Sequence, residues 1–207
     1  MFCGQNKTPQ WLKSQKWNKF YKRSSTLEIK VVVSNRGRIE QYSMGTNSQA
    51  CVGIDDIAIH FPRLYMDMKD FAELRGADFG KLNKGLGLEA MAIPDVHEDT
   101  ATMGAMAVMQ IIDRNGLDPN SIGRMYLGTE SALDGAKPTA TYIVDMLTQR
   151  YQERFGANCF RNCDVVDMTF ACIGAVDALH TTLDWVARST EHDERTGIVI
   201  FSDNAKY

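Results

Sequence analysis

Cys172 is placed at a joint between two sequence patterns. The run CDVVDM before it predicts a strand, and the residues after it predict a helix with an apolar face at i, i+4, i+7, i+11 and i+14: Cys172, Val176, Leu179, Leu183 and Val186. At a helix start, free N–H groups and the positive end of the dipole favour a thiolate. Cys172 is therefore a candidate nucleophile, and the alternative is a small buried apolar residue, the commonest fate of a free cysteine. Gly174 costs helix propensity here, which indicates that another backbone or a ligand comes close.

A nucleophile of this kind needs a partner that moves protons, and PDVHEDT contains the candidate. Asp99 suits the N-cap of the helix that follows. Glu98 is a candidate general base if its loop turns it towards a pocket, where burial would raise its pKa. His97 could orient Glu98 or lie exposed in the loop, and His60 is expected to pack in the first strand.

The remaining cysteines favour no metal site and no disulfide framework. Five cysteines in 207 residues are odd in number, which fits a reducing compartment such as the cytoplasm. Cys159 and Cys163 have a Cys-x3-Cys spacing, but no second pair completes a zinc site, so no metal is predicted. No apolar run has the length of a membrane span, so no membrane partner is predicted.

The charge is uneven along the chain and predicts a boundary near residue 50. Residues 1–50 carry nine Lys/Arg and two Asp/Glu, a charge of +7, whereas the formal charge of the whole chain is −3. We interpret 1–50 as a basic, disordered extension and 51–207 as the folded domain. A transit peptide and a nucleic-acid-binding arm with interspersed aromatic residues are the alternatives, and the acidic remainder argues against nucleic acid.

The folded part alternates strands with helices. We predict a strand in CVGIDDIAIHFP, a short helix ended by Gly76, a loop over KLNKGLGLEAMAIP, a long helix from near Asp99, a strand in IGRMYLGTE, a helix from Pro138, the strand and helix around Cys172, and a last strand in GIVIFSD. This order favours an α/β fold with a mainly parallel central sheet.

Several of these segments together resemble hydroxymethylglutaryl-CoA synthase. They are VGIDDIAIHFP, GADFGKLNKGLGLEAMAIPDVHEDTATM, IGRMYLGTESALDGAKPTATYI, DMTFACIGAVDALHTTLDW and SDNAKY. The resemblance runs in order over residues 52–207. TFAC departs from the family's usual Asn-Ala-Cys-Tyr-Gly-Gly, since Phe170 and Ile173 replace common residues.

The resemblance implies a thiolase fold, of which this chain holds the first αβα half of a duplicated pair. It implies an acyltransferase that condenses acetyl-CoA with acetoacetyl-CoA to give HMG-CoA and CoA, a step of the mevalonate route to isoprenoid lipids. Cys172 then matches the nucleophile, Glu98 the general base and Asp203 a supporting acid. Asp78, Phe79 and Lys81 match a loop that contacts substrate and CoA. A homodimer is also implied, with no cofactor beyond the CoA thioesters.

Two expectations and two alternatives accompany the resemblance. The family's second half supplies a histidine that binds acetoacetyl-CoA, and none of His60, His97, His180 and His192 fits that role. We therefore expect acetyl transfer to Cys172 but no complete synthesis by this chain alone. A β-ketoacyl carrier-protein synthase would place its cysteine at the same joint but would not need Glu98. A non-catalytic partner subunit or remnant is the other alternative.

Overall fold

The computed structural model describes residues 32–34, 52–189 and 195–204. The predicted extension, apart from 32–34, lies outside these residues, as do Cys51, His192 and the last three residues of SDNAKY. The strands are β1 Val32–Ser34, β2 Gly53–Asp56, β3 Leu64–Asp67, β4 Ala90–Ile93, β5 Ile122–Gly128, β6 Asp164–Met168 and β7 Thr196–Phe201. The helices are α1 Met68–Arg75, α2 Thr100–Asn115, α3 Ala140–Phe155 and α4 Gly174–Ala187.

The central sheet has five strands in the order β2-β1-β7-β5-β6. Strand β5 runs parallel to both β6 and β7, and β1 runs antiparallel to β2 and β7. Four of the five strands therefore point the same way, which confirms the α/β class with a mainly parallel sheet. Gly128 is in register with Met168 on one side and Phe201 on the other, so the carboxyl ends of β5, β6 and β7 meet at one edge.

Helices cover both faces of this sheet, as expected for an αβα arrangement. Alternate residues of β5 and β7 (Met125, Leu127, Ile198 and Ile200) pack with the buried sides of α2 and α3. The residues between them, Tyr126 and Val199, pack with α4. Parallel strands with apolar side chains on both faces are stable only when both faces are covered, and the two helical layers supply that cover.

Helix α4 lies against the sheet by a different face from the one that its apolar spacing predicts. Its buried residues are mainly small: Gly174, Ala175, Ala178, Thr182 and Val186. A Cβ added to Gly128 would lie 2.1 Å from the Cα of Ala175, so β5 and the helix backbone are in direct contact. Because a helix this close to a sheet accepts only small side chains at the contact, Val176 stays exposed and the predicted face is correct only at Val186 and, in part, at the two leucines.

Gly174 lies against another part of the backbone, as its position at the helix start predicts. A Cβ on Gly174 would lie 2.3 Å from the carbonyl oxygen of Met168, the last residue of β6. Any larger residue would push the start of α4 away from the strand. The neighbour is therefore the chain itself, at the turn that carries Cys172.

Four elements were not predicted or begin elsewhere. Strands β3 and β4 pair as an antiparallel hairpin, and β4 lies in the stretch predicted as a loop. A π-helical turn, Lys81–Gly85, occupies the same stretch. Helix α3 begins at Ala140 rather than at Pro138, because the Asp167 carboxylate accepts the N–H groups of Thr139 and Ala140.

Strand β1 corrects the prediction that residues 1–50 are wholly a disordered extension. Val32–Ser34 lies within that segment and pairs antiparallel with both β2 and β7. Its two partners belong to the predicted domain, so this short piece of the basic segment is part of the central sheet. The boundary at residue 50 otherwise stays a prediction.

Candidate active site

Cys172 lies in a short 3-10 turn, Ala171–Ile173, between β6 and α4. The residue is exposed and its thiol is free. The N–H of Gly174 donates to the carbonyl of Phe170 at 2.9 Å, which closes the turn, and no side chain caps the start of α4. The predicted strand–helix joint is therefore present, and the alternative of a buried structural cysteine is wrong.

The loops after β5 and β7 lie at the same edge of the sheet as this turn. The N–H of Thr129 donates to the Met168 carbonyl at 3.2 Å, so the end of β5 is joined to the end of β6. The N–H of Ser202 donates to the Gly128 carbonyl at 3.4 Å, which joins the end of β7 to β5. Ligands of open α/β sheets bind outside the carboxyl ends of the strands, which is where Cys172 lies.

Asp203 organises the loop that follows β5. Its Oδ1 accepts hydrogen bonds from the Thr129 hydroxyl at 2.7 Å, the Glu130 N–H at 2.7 Å, and the Ser131 N–H and hydroxyl at 3.2 and 2.8 Å. Four donors on one carboxylate oxygen hold the loop in a single conformation. Asp203 thus positions the loop after β5. Thr129 and Ser131 help to form this part of the site, and the sequence did not indicate them.

The same network extends to the first residues of α2. The Thr100 hydroxyl donates to the Ser131 carbonyl at 2.9 Å, and the Ser202 hydroxyl donates to the Thr100 carbonyl at 2.7 Å. Asp99 caps α2 as predicted, because its carboxylate accepts the Thr102 N–H and its own N–H donates to the Thr102 hydroxyl. The start of α2, with Glu98 directly before its cap residue Asp99, is therefore held at the carboxyl edge of the sheet.

The side chain of Glu98 is largely covered, and both of its carboxylate oxygens are engaged. Its side chain is 8% exposed. Oε1 lies 3.1 Å from Nε2 of His60, and Oε2 accepts the N–H of Asp95 at 2.9 Å. The loop does turn Glu98 inwards, as the role of a base requires.

The pKa of Glu98 differs from the expectation based on burial. Burial alone raises this pKa, but the hydrogen bonds from Asp95 and His60 and the nearby charges of His60 and His97 outweigh it. The net effect holds the pKa of Glu98 below its ordinary value, so the carboxylate stays ionised. The prediction that burial would raise the pKa is therefore wrong, because it left out the donors.

The histidine beside Glu98 in space is not its neighbour in sequence. The ring of His97 is 66% exposed, and its Nδ1 lies 3.9 Å from Asp95 rather than on Glu98. His60 makes the contact, 38 residues earlier in the chain. Its side chain is 17% exposed, but it lies after β2, which ends at Asp56, rather than in the predicted strand. No local pattern could identify this pair, since it depends on how the segment after β2 lies against α2.

The predicted substrate loop, residues 78–81, forms an exposed turn after α1. Asp78 Oδ1 accepts the N–H groups of Gly80 at 2.8 Å and Lys81 at 3.4 Å. Phe79 is 39% exposed and Lys81 is also exposed. These side chains face solvent, and none has a hydrogen bond to Cys172 or Glu98 among the contacts described. Their role in binding substrate or CoA stays a prediction.

An exposed thiol and an ionised, buried carboxylate at one sheet edge suit a particular class of chemistry. The thiol can carry an acyl group as a thioester, and the carboxylate can remove a proton from carbon next to that thioester. This chemistry would be acyl transfer through a thioester on the cysteine.

Comparison with known proteins identifies the family. The sequence profile described as "Hydroxymethylglutaryl-coenzyme A synthase N terminal" matches residues 48–207. The hydroxymethylglutaryl-CoA synthase of Haloferax volcanii is 40% identical over 157 residues, which cover 75% of this chain and 34% of that protein. The chain belongs to the hydroxymethylglutaryl-CoA synthase family.

Solved structures agree with the fold. MvaS in complex with 3-hydroxy-3-methylglutaryl coenzyme A superposes with a TM-score of 0.60 and 29% identity, over 72% of this chain and 33% of that one. A priming β-ketosynthase from the R1128 polyketide pathway superposes with a TM-score of 0.53 at 22% identity, over 63% of this chain and 36% of that one, and shows the shared fold alone. The chain spans about a third of the length of the curated relatives it matches.

Proposed function

We propose that this protein is a hydroxymethylglutaryl-CoA synthase in which Cys172 carries the acetyl group and Glu98 acts as the base. The overall reaction joins acetyl-CoA, acetoacetyl-CoA and water to give HMG-CoA and free CoA. It is a step of the mevalonate route. The observations that carry the proposal are the exposed Cys172 at the carboxyl edge of the sheet and the ionised Glu98 in the loop before α2, a helix whose start is hydrogen-bonded to the same edge.

In the first step, the sulfur of Cys172 attacks the thioester carbonyl of acetyl-CoA. A bond forms between this sulfur and the acetyl carbon, the bond to the CoA sulfur breaks, and CoA leaves as the thiol with the proton lost by Cys172. The carbonyl oxygen becomes negatively charged on the way, and the uncapped start of α4 can supply N–H donors to it.

In the second step, Glu98 takes a proton from the acetyl methyl group, which the thioester makes acidic. The resulting carbanion adds to the ketone carbon of acetoacetyl-CoA, and the ketone oxygen takes up a proton. Water then cleaves the thioester on Cys172 and releases HMG-CoA. Asp203 acts indirectly, by holding the loop that ties the start of α2 to the sheet.

Family membership favours this reading over a β-ketoacyl carrier-protein synthase. The similarity to the ketosynthase is a similarity of fold alone. The hydroxymethylglutaryl-CoA synthase profile, in contrast, matches residues 48–207, a range that includes both Cys172 and Glu98. A non-catalytic role would not explain the exposed thiol of Cys172 or the two hydrogen bonds to the Glu98 carboxylate.

The proposal also covers location, ligands and assembly. The free thiols of Cys159, Cys163 and Cys172 favour a cytoplasmic location. The resemblance supports a homodimer, CoA thioesters as ligands of the 78–81 turn, and a reaction without a metal or another cofactor. Among residues 52–189 and 195–204, no helix is long and apolar enough to cross a membrane. The prediction that the protein does not bind nucleic acid concerns mainly the first fifty residues and stays a prediction.

Incubation with acetyl-CoA tests the proposal. Intact-mass and peptide mass spectrometry should find one acetyl group on the Cys172 peptide, none on Cys172→Ser, and the wild-type level on the control Cys163→Ser. A folded wild-type protein that stays unmodified would contradict the proposal. Addition of acetoacetyl-CoA then tests whether the acetylated protein goes on to form HMG-CoA.

A further inference from the structure

We propose that Asp167 is a positioning residue that fixes the loop between β5 and α3, residues 129–139, beside the Cys172 turn. The inference rests on the proposed function only in so far as Cys172 takes an acyl group from a CoA thioester. The contacts that carry it are two hydrogen bonds to one carboxylate. Its Oδ2 accepts the N–H of Thr139, and its Oδ1 accepts the N–H of Ala140 at 3.0 Å. Both donor residues are fully buried.

An aspartate near the end of a parallel strand needs a physical reason. Aspartate is depleted in strands, and a carboxylate taken out of water costs free energy unless donors satisfy it. In the part of the chain that the structure describes, the hydrogen bonds of the Asp167 carboxylate both come from the start of α3. Thr139 makes no side-chain cap of its own. Asp167 therefore caps α3 from the neighbouring strand, where a negative charge also suits the helix dipole.

Both ends of the loop are attached to the last two residues of β6. At the start of the loop, the N–H of Thr129 donates to the carbonyl of Met168 at 3.2 Å. At its end, Asp167 holds Thr139, whose hydroxyl oxygen accepts the N–H of Leu133 at 3.0 Å. The path of the loop therefore depends on two adjacent strand residues.

The same two residues link the loop to the turn that carries Cys172. Successive residues of a strand face opposite sides of the sheet. Asp167 faces the start of α3, whereas Met168 packs on the side of α4. A Cβ on Gly174 would lie 2.3 Å from the Met168 carbonyl oxygen, so the start of α4 contacts this residue directly. The end of β6 thus sets the position of the loop relative to the thiol.

The middle of the loop is exposed at the edge of the sheet where an acyl-CoA has to reach Cys172. Leu133 is 45% exposed, and the exposed Lys137 has its ammonium group 3.9 Å from the centre of the Tyr142 ring. An apolar side chain and a cation on one loop suit a ligand that carries both an acyl group and phosphates. The loop can therefore form one wall of the thioester site, and Asp167 fixes this wall without touching the ligand.

The test compares two reactions of the Cys172 thiol in the full chain. Acetylation requires that acetyl-CoA be aligned by the site, whereas alkylation by iodoacetamide requires only an accessible thiolate. In Asp167→Ala, the acetylation rate at saturating acetyl-CoA should fall about tenfold, with the alkylation rate within about twofold of wild type. Asp167→Asn keeps one acceptor oxygen in a side chain of the same shape, so its acetylation rate should lie between the two. Asp145→Ala, which removes an exposed acid on α3, is the matched control and should be acetylated as wild type.

Two results would overturn the proposal. One is a wild-type acetylation rate in Asp167→Ala. The other is an equal loss of acetylation and alkylation, because general damage to the fold would slow both reactions. If Asp167→Ala does not fold, Asp167→Asn decides: slower acetylation with unchanged alkylation supports the role, and wild-type acetylation contradicts it.

Amide hydrogen exchange keeps the inference separate from the proposed function. The peptide 130–140 should exchange faster in Asp167→Ala than in wild type, while the peptide of α4 should exchange as before. If even the wild-type protein is not acetylated at Cys172, the proposed function fails, and hydrogen exchange still decides on Asp167. Unchanged exchange of residues 130–140 in Asp167→Ala would show that this carboxylate does not hold the loop.

Discussion

Cys172 and Glu98 have opposite surroundings, and each suits its proposed part in the chemistry. The thiol is exposed, so a bulky CoA thioester can reach it. The carboxylate is 8% exposed and held by two donors, so water competes little for its lone pairs. In the proposed mechanism, substrate would therefore reach Cys172 from solvent, and Glu98 would act from a position that is largely shielded from water.

The three described cysteines should differ strongly in reactivity. Burial and the charge of Asp164 raise the pKa of Cys163 to about 12, so that thiol stays protonated at pH 8. Burial also raises the pKa of Cys159, which is 1% exposed. Because the thiolate is the reactive form, iodoacetamide at pH 8 should label Cys172 well before the other two.

Peptide mass spectrometry over a time course measures this order, and 6 M guanidinium should abolish it. Faster labelling of Cys163 than of Cys172 in the folded protein would contradict the assignment of an exposed nucleophile.

At the residue scale, the sequence predicts which residues are candidates for the site better than it predicts which residues contact them. Cys172 and Asp99 could be read from local patterns, because a helix start has its own composition. The His60–Glu98 pair joins residues 38 apart, and the Asp203–Thr129 bond joins residues 74 apart. Contacts of this range depend on how elements pack, which single-sequence periodicity does not describe.

At the scale of elements, glycines decide how closely α4 approaches the sheet. Gly128 meets the backbone of Ala175, and Gly197 meets the Thr182 side chain, where a Cβ would lie 2.5 Å from Cγ2. Side-chain size at the contact therefore overrides the apolar spacing of the helix. This explains why the helix was predicted at nearly its true position but with much of the wrong face inwards.

Gly128→Ala should therefore destabilise the protein by about 1–3 kcal/mol, because the methyl group has no room beside Ala175. Urea unfolding followed by circular dichroism measures the change. Gly53→Ala is the matched control, since nothing lies within 4 Å of its Cβ position. Equal stability of the two variants would show that α4 does not rest on β5 as described.

The loop network at the sheet edge gives a second prediction at this scale. Asp203→Ala removes the acceptor of four hydrogen bonds around residues 129–131. The turn that carries Cys172 is joined to this loop through Met168, so acetylation of Cys172 should slow about tenfold.

The rate is measured by quenching the reaction with acetyl-CoA at several times and determining the acetylated fraction by mass spectrometry. Asp184→Ala, an exposed acid near the far end of α4, is the control and should react as wild type. A wild-type rate in Asp203→Ala would remove Asp203 from the site.

At the scale of the whole molecule, the candidate site residues lie at the carboxyl edge of one mixed sheet. Strand order was not accessible from the sequence, because β1 inserts between β2 and β7 from the basic segment that was interpreted as an extension, although residues 31–33 are three consecutive valines. The α/β class could be predicted, because few other fold classes combine continuous apolar strands with alternating helices. The family resemblance added what physical patterns could not supply, namely the hypothesis that Glu98 serves the cysteine.

The central claim is that Cys172 and Glu98 act on the same acetyl group. It is tested by deuterium incorporation into the acetyl methyl group on the Cys172 peptide, after incubation with acetyl-CoA in D2O. We expect deuterium in the wild-type acetyl group, and a Glu98→Gln variant that is still acetylated but exchanges at least about 100-fold more slowly. The exposed Glu153→Gln should behave as wild type. Equal exchange in wild type and Glu98→Gln, with both acetylated at Cys172, would contradict the account.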